Sequence, residues 1–218
     1  EATPAEVNTL LTERFLPTDK IAVQYSVLCV KIGAETVLID TGNGSGGGEE
    51  TGHLVRNLAG AGISPDAITG IIISHAHGDH VGGLLDASGA KVFPNAKCFI
   101  TKTERDYWAD PNLIPAARVP AEWKKGFAAN ARKALDGIKD RLEMVESSQT
   151  LMGGLKLIDT HGHTPGHVSV LIDGGSESLL ALSDTTHNAT LLFRRPDWTV
   201  GFDEDPVNAV ASRKRLFD

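Results

Sequence analysis

The chain has only two cysteines in 218 residues, and no Cys-x-x-Cys pair. Cys29 and Cys98 each lie inside an apolar run, so both read as buried thiols rather than as zinc ligands or a disulfide framework. Basic residues are also short. Against 28 Asp and Glu there are 21 Lys and Arg, giving a formal charge of −7 and a pI near 5.6. That balance lacks the clustered cations a phosphate backbone requires and argues against a nucleic-acid partner. No apolar run is long enough to span a membrane and no signal-like start is present, so no membrane partner is expected. The compartment stays open: a soluble protein of the cytoplasm, or a periplasmic or secreted one. An initiating Met is missing too, and the chain reads as a processed or cropped product lacking terminal segments.

Two catalytic signatures are absent as well. Gly44-Ser45-Gly46-Gly47-Gly48 has no Gly-Lys-Ser/Thr ending, so it reads as a flexible loop rather than a phosphate cradle. It also misses the Gly-x-Ser-x-Gly elbow of serine hydrolases, because Asn43 stands where a Gly is required.

With 41% hydrophobic residues, the chain can bury one substantial core as a single domain over 1–218. Val7, Leu10, Leu11 and Phe15 recur at helical spacing over residues 4–16, ahead of Pro17. Alternation over 21–32 and 35–39 predicts a hairpin. A helix over 52–61 ends at Gly62, and a strand over 69–74 follows. A further strand at 97–101 leads into a helix at 103–108. Residues 109–141 read as a helical insertion beside the active site, irregular at first and then a long helix over 122–138. Beyond Met144 come strands at 155–160, 168–172 and 178–182, a short strand at 191–193, and a last helix at 207–216.

The most informative stretch is Ser74-His75-Ala76-His77-Gly78-Asp79-His80, directly behind the β-branched run Ile71-Ile72-Ile73. In extended chain alternate residues point the same way, so His75 and His77 can face one cation, while Asp79 and His80 turn toward a second. A lone His-x-His is more often a pair of surface histidines; four ligand-type residues at this spacing favour a metal site.

His-x-His-x-Asp-His resembles the signature of the metallo-β-lactamase superfamily, a group of metal-dependent hydrolases. Ile39-Asp40-Thr41-Gly42, Thr164-Pro165-Gly166-His167 and Leu182-Ser183-Asp184 follow in that family's order. The resemblance implies an α/β fold, a four-layer αββα sandwich of two mixed β-sheets flanked by helices. It implies two divalent metal ions, zinc first, with manganese, iron or cobalt also compatible with imidazole and carboxylate ligands. Carried over position by position, His75, His77 and His167 hold one metal, Asp79 and His80 belong to the other, and Asp184 bridges both. Asp40 supports the ligand loops from behind, although an Asp there can equally cap a turn. His161, His163 and His187 stay unassigned, with solvent or hydrogen-bonding roles. The pattern's last His, beyond the final helix, has no counterpart, which implies a clipped fragment; a complete chain would carry a weakened second site.

Phe93-Pro94-Asn95-Ala96, Asp106-Tyr107-Trp108 and His161-Gly162-His163-Thr164 look most like the methyl parathion hydrolase and lactonase-like branch. The implied partner is a small-molecule lactone, carboxylic ester or phosphotriester, cleaved by a metal-bridging hydroxide that Asp79 orients as the catalytic residue; a homodimer is compatible. Trp108 and Phe127 are the expected apolar wall for the substrate. Trp123 and Tyr107 are read more readily as helix packing. The alternatives are a glyoxalase II-like thioesterase, with Lys124, Lys125 and Arg132 near the mouth, a di-iron redox protein, and a metal-binding protein with little catalysis.

Overall fold

The structure is a computed structural model and describes residues 2–218. Helix α1 spans Pro4–Thr12, opened by a Thr3/Glu6 capping box. Strands β1 (Leu28–Ile32) and β2 (Glu35–Ile39) form the predicted hairpin around Gly33, whose φ of 59° suits the tight turn. Helix α2 is Leu54–Gly60, β3 is Gly70–Ile72, and the short α3 is Gly78–Val81. Then come β4 (Lys97–Thr101), α4 (Lys102–Ala109), α5 (Ala121–Gly137) and β5 (Leu142–Val145). The chain continues through β6 (Lys156–Asp159), β7 (Val168–Asp173), β8 (Ser178–Ala181), α6 (Ala189–Leu192) and α7 (Pro206–Phe217).

Strands β1 to β5 form one mixed sheet in chain order, with β1/β2 antiparallel and the remaining pairs parallel. Strands β6, β7 and β8 form a second sheet whose pairings are antiparallel. The period-two rule explains how they stack. Leu38, Ile71, Ile73, Cys98 and Ile100 point to one face, where Ala128, Ala131 and Leu135 of α5 cover them. Val37, Ile39, Ile72 and Phe99 point the other way and meet Leu157, Val168 and Val170 of the second sheet. A strand covered on both faces must be apolar throughout, which is why β3 reads Gly-Ile-Ile with every residue buried. The inner face of α5 therefore joins this core, so residues 121–137 belong to the helical layer over the first sheet.

Several sequence expectations need correction. Residues 21–27 are not strand: they carry no regular structure, with Ile21, Val23 and Tyr25 about half exposed, because no neighbouring strand pairs with them among the described residues. The 191–193 stretch is not a strand either; Asn188 accepts a hydrogen bond from Leu191 N at 3.1 Å and so caps α6. The N-terminal helix stops at Thr12, and Phe15 is 98% exposed with φ 56°, outside the apolar face assigned to it. Strand β5 had no sequence signal of its own, being four residues at a sheet edge. Cys98 is buried and Cys29 half-buried, and both are free thiols.

Ile72, 1% exposed, joins the two sheets. We expect Ile72→Ala to destabilise by about 2–5 kcal/mol, since a cavity between two sheets cannot collapse easily. Urea denaturation checks this; an unchanged midpoint would place Ile72 outside the load shared by the sheets.

Candidate metal centre

The carboxyl ends of β2, β3 and β4 lie side by side, and α/β sheets build their sites there. Asp40 leaves β2 with φ 64°, a left-handed conformation that Asp tolerates better than most residues. Its Oδ1 accepts Ser74 N–H at 2.8 Å, and its Oδ2 accepts the Ser74 hydroxyl at 2.7 Å and His80 Nδ1–H at 2.8 Å. The next residue, Thr41, donates its N–H and hydroxyl to His80 O at 2.8 and 2.9 Å. Gly83 permits this contact, because a Cβ there would sit 2.2 Å from Thr41 O. The exit of β2 thus grips both ends of the His-x-His-x-Asp-His stretch.

These partners set the histidine tautomers. An ionised carboxylate only accepts, so His80 donates through Nδ1 and turns the Nε2 lone pair inward. Ser74 gives its single hydroxyl proton to Asp40 and accepts from His75 Nδ1 at 3.1 Å, so His75 also presents Nε2. His163 Nδ1 faces Asp203 Oδ1 at 3.1 Å, and His167 Nδ1 faces Thr160 Oγ1 at 2.8 Å. Inside, His77 Nδ1 lies 3.1 Å from His75 Nε2 and 3.0 Å from His163 Nε2. The Asp184 carboxylate stands 3.4 Å from His80 Nε2, 3.4 Å from His163 Nε2 and 3.2 Å from His187 Nε2. Asp79 Oδ2 is 3.5 Å from His80 Nε2.

Three overlapping groups each keep their ligand atoms within 4.8 Å: His75/His77/His163, His75/His80/Asp184 and His163/Asp184/His187. His75, His77, His80 and Asp184 fall within these groups, and Asp79 stands outside them, beside His80. His167 stands slightly back, its ring centroid 5.1 Å from that of His75 and its buried Nε2 without a hydrogen-bond partner among the described residues. His163 and His187, left aside in the sequence, enter the cluster. The signal for His163 was its place four residues before His167 in a tight Thr-Pro-Gly turn; Asp203, its partner, had none. Glu104 was hidden more thoroughly. Thr101-x-x-Glu104 looks like a capping box, and Thr101 does accept Glu104 N–H at 3.2 Å. Yet the Glu104 side chain turns inward to Ala76, Trp108, Thr164 and Gly166.

His163 Nε2, left as an acceptor by the Asp203 contact on its other nitrogen, faces the Asp184 carboxylate at 3.4 Å, and two buried acceptors this close repel unless something positive lies between them. The donor set, imidazole nitrogen with carboxylate oxygen and no thiolate, fits a divalent cation such as zinc, manganese, iron or cobalt. Burial holds His75 and His163 well below the usual imidazole range and takes His77 to about 4 and His167 to about 3. Burial is the largest influence on His80 and His187 and opposes their charged forms, but the carboxylates around them, Asp184 and Asp40 for His80 and Asp184 and Asp203 for His187, together outweigh it and raise both. Burial alone would raise Asp184; the charges of His80 and His187 overcome it and hold the carboxyl well below its ordinary value.

A cavity of about 1490 Å³ opens over His77, Asp79, His80 and Asp184. Phe127 forms part of its wall, 5.2 Å from the His77 ring by centroid. Trp108 does not: it is fully buried, donates Nε1–H to Glu104 at 2.6 Å, and supports His77 from behind at 5.6 Å. Its expected substrate contact is therefore corrected to a core role. Trp123, expected to pack the helix, instead lines the cavity and stacks on Phe202 at 6.5 Å. Tyr107 donates its hydroxyl to Glu204 at 2.9 Å. Arg132 is tied to Asp110 O at 3.0 Å.

The pKa shifts give a signed expectation for the metal-free protein. Unfolded chain protonates its histidines near pH 6.5, whereas His75, His77, His163 and His167 stay neutral in the fold. Their contribution to stability is whole above about pH 6.5 and is lost as the pH falls toward 4. His80 and His187, shifted upward, contribute in the opposite sense, below pH 6.5, but number two against four. The thermal midpoint without metal should therefore fall between pH 6.5 and 4.5, and His167→Asn should flatten that fall. A midpoint that rises on acidification would show these imidazoles to be charged in the folded state.

A family profile described as Metallo-beta-lactamase superfamily matches residues 21–218. The N-acyl homoserine lactonase of Bacillus cereus is 29% identical over 168 residues, covering 77% of this chain and 57% of that protein. The probable metallo-hydrolase Rv2300c of Mycobacterium tuberculosis is 26% identical over 207 residues, covering 78% and 60%. The chain thus spans less than two thirds of the length of both. Among solved structures, AidC, a dizinc quorum-quenching lactonase in complex with a product, N-hexanoyl-L-homoserine, superposes with a TM-score of 0.93 at 34% identity, covering 99% of this chain and 74% of that one. The hydrolase AbOPH gives 0.90 at 29% identity, covering 100% and 75%. With the profile spanning nearly all of a two-sheet sandwich of this kind, the chain belongs to the metallo-β-lactamase superfamily.

Proposed function

We propose that this chain carries the catalytic centre of a metal-dependent hydrolase that opens a lactone bearing an apolar acyl chain. The observation that carries the reading is the convergence of inward imidazole lone pairs and Asp184 on the floor of a cavity with aromatic walls. His75, His77 and His167 are the proposed holders of one divalent cation, Asp79 and His80 of a second, and Asp184 of both, with zinc the first choice. Such ions, when bound, supply Lewis-acid polarisation of a carbonyl oxygen and activation of water at neutral pH. The protein's own part is orientation. Asp40 fixes His80 and, through Ser74, His75. Asp79, at the N-terminal turn of α3 and facing the cavity, can hold a proton and return it to the leaving oxygen. Phe127, Trp123 and Phe202 offer apolar surface to an acyl chain.

The similarity to a lactonase with a bound product supports a lactone over other substrates, and the similarity to AbOPH keeps a phosphotriester or carboxylic ester as the second reading. For a thioesterase carrying its acyl group on glutathione, the basic residues expected at the mouth are displaced, since Lys124 and Lys125 do not line the cavity and Arg132 is committed to Asp110, while Arg118 and Lys133 do line it. A redox centre is disfavoured by His77 at the position where di-iron relatives carry Glu.

Zinc- or manganese-loaded full-length protein should open N-hexanoyl homoserine lactone faster than it hydrolyses p-nitrophenyl acetate, paraoxon or an acyl-glutathione. Full metal occupancy with no turnover of any of them would sink the reading. His75→Ala and His167→Ala should each lose most bound metal by elemental analysis. Asp40→Ala should keep most of it while activity falls about 10- to 100-fold; equal metal loss in all three would make Asp40 a ligand. Phe127→Ala should raise KM for long acyl chains more than for short ones, in proportion to lost apolar contact of about 25 cal/mol per Å². An equal effect on both would remove Phe127 from the acyl wall.

A further inference from the structure

Glu104 is fully buried, and no basic side chain is paired with it among the described residues. Four donors satisfy it instead. Oε1 accepts Ala76 N–H at 2.9 Å and Trp108 Nε1–H at 2.6 Å; Oε2 accepts the Thr164 hydroxyl at 2.7 Å and Gly166 N–H at 2.9 Å. Ala76 lies between His75 and His77, on the loop that leaves the first sheet. Gly166 precedes His167, on the loop that enters the second. One carboxylate therefore ties together the two loops that carry the proposed ligands of one cation.

The approach is close. A Cβ on Gly166 would lie 2.3 Å from Glu104 N and 2.5 Å from Thr101 Oγ1, and Thr101 donates its hydroxyl to Gly166 O at 2.7 Å. Side chain and backbone of the first turn of α4 thus press on the His167 loop from one side, while Oε1 holds the His75–His77 loop from the other. The arrangement needs a carboxylate. An amide in its place has one acceptor oxygen and an NH2 group, so whichever way that amide flipped, two of the four donors would face a donor. Burying an unmet backbone N–H is costly, and the loop that carries it would move.

We infer that Glu104 is a positioning residue for the metal centre, setting the spacing between the His75/His77 pair and His167 by bonding to Ala76, Thr164 and Gly166. This rests on the ligand assignment proposed above. A residue of this kind alters how a cation is held, while one that only cements the core alters stability alone.

Cobalt-loaded full-length protein separates the two roles, because the visible absorption of bound cobalt reports ligand geometry. Glu104→Gln is expected to change that absorption and to speed chelator-driven cobalt loss about 10- to 100-fold, the usual reach of residues behind metal ligands. Leu157→Ala opens a cavity in the seam between the sheets, and among the described residues Leu157 has no bond to either ligand loop or to Glu104. It should lower the thermal midpoint while leaving the absorption unchanged and the loss rate within about twofold. An unaltered spectrum and loss rate in Glu104→Gln would overturn the inference and leave the ligand assignment standing. If Glu104→Gln does not fold, Thr164→Val decides: a smaller shift in the same direction supports positioning, and no shift refutes it. Failure of the wild-type protein to bind cobalt at all would refute the ligand assignment itself.

Discussion

The geometry at the open end of the sandwich depends on the buried carboxylate of Asp40. Two oxygens accept three hydrogens from residues that flank the His-x-His-x-Asp-His stretch, and the proton inventory of Ser74 passes the constraint on to His75. Left-handed backbone at Asp40 is costly by itself. It persists because relaxing it would release Ser74 and His80 together. Ser183, next to Asp184, is also left-handed at φ 49°, and its hydroxyl lies 2.7 Å from that of Ser74. The two strained positions thus meet at one hydroxyl.

That framework holds groups that repel one another. Several imidazoles are held neutral by burial, the carboxylates beside His80 and His187 shift those two upward, and the inward nitrogens converge with Asp184 on one space. A site of this kind is poor packing and good preorganisation. Its cost is offset in the layers on either side, where apolar strand residues meet α5 and the second sheet.

How much of this the sequence disclosed follows from the range of each interaction. The run Ile71-Ile72-Ile73 announces a two-sided buried strand because periodicity and burial are local properties, and the ligand cluster directly behind it shares that clarity. The α5 pattern is legible in part, since Ala131 and Leu135 recur along the buried face while Trp123 and Phe127, at the same helical spacing, line the cavity. By contrast, residues 21–27 alternate like a strand but find no partner, and pairing is not written in one segment. Trp108 and Trp123 exchanged their expected roles because exposure depends on what packs opposite. Glu104 and Asp203 act through contacts 28 and 40 residues away in the chain, and nothing in their neighbourhoods distinguishes them from a helix cap and a turn; His163 had only its place beside the Thr-Pro-Gly turn to mark it.

The two sheets contribute to the centre unequally and from opposite sides: His75, His77, Asp79 and His80 follow β3, whereas His167 precedes β7 and Asp184 follows β8. Away from this rim the layers meet along the apolar seam of Ile72, Phe99, Val168 and their neighbours, which resists separation but has little say in sliding. Directional polar contacts at one rim supply what the seam lacks. The centre is in mechanical terms a hinge pin, and a slip of one sheet past the other by a fraction of a side chain would be felt there first.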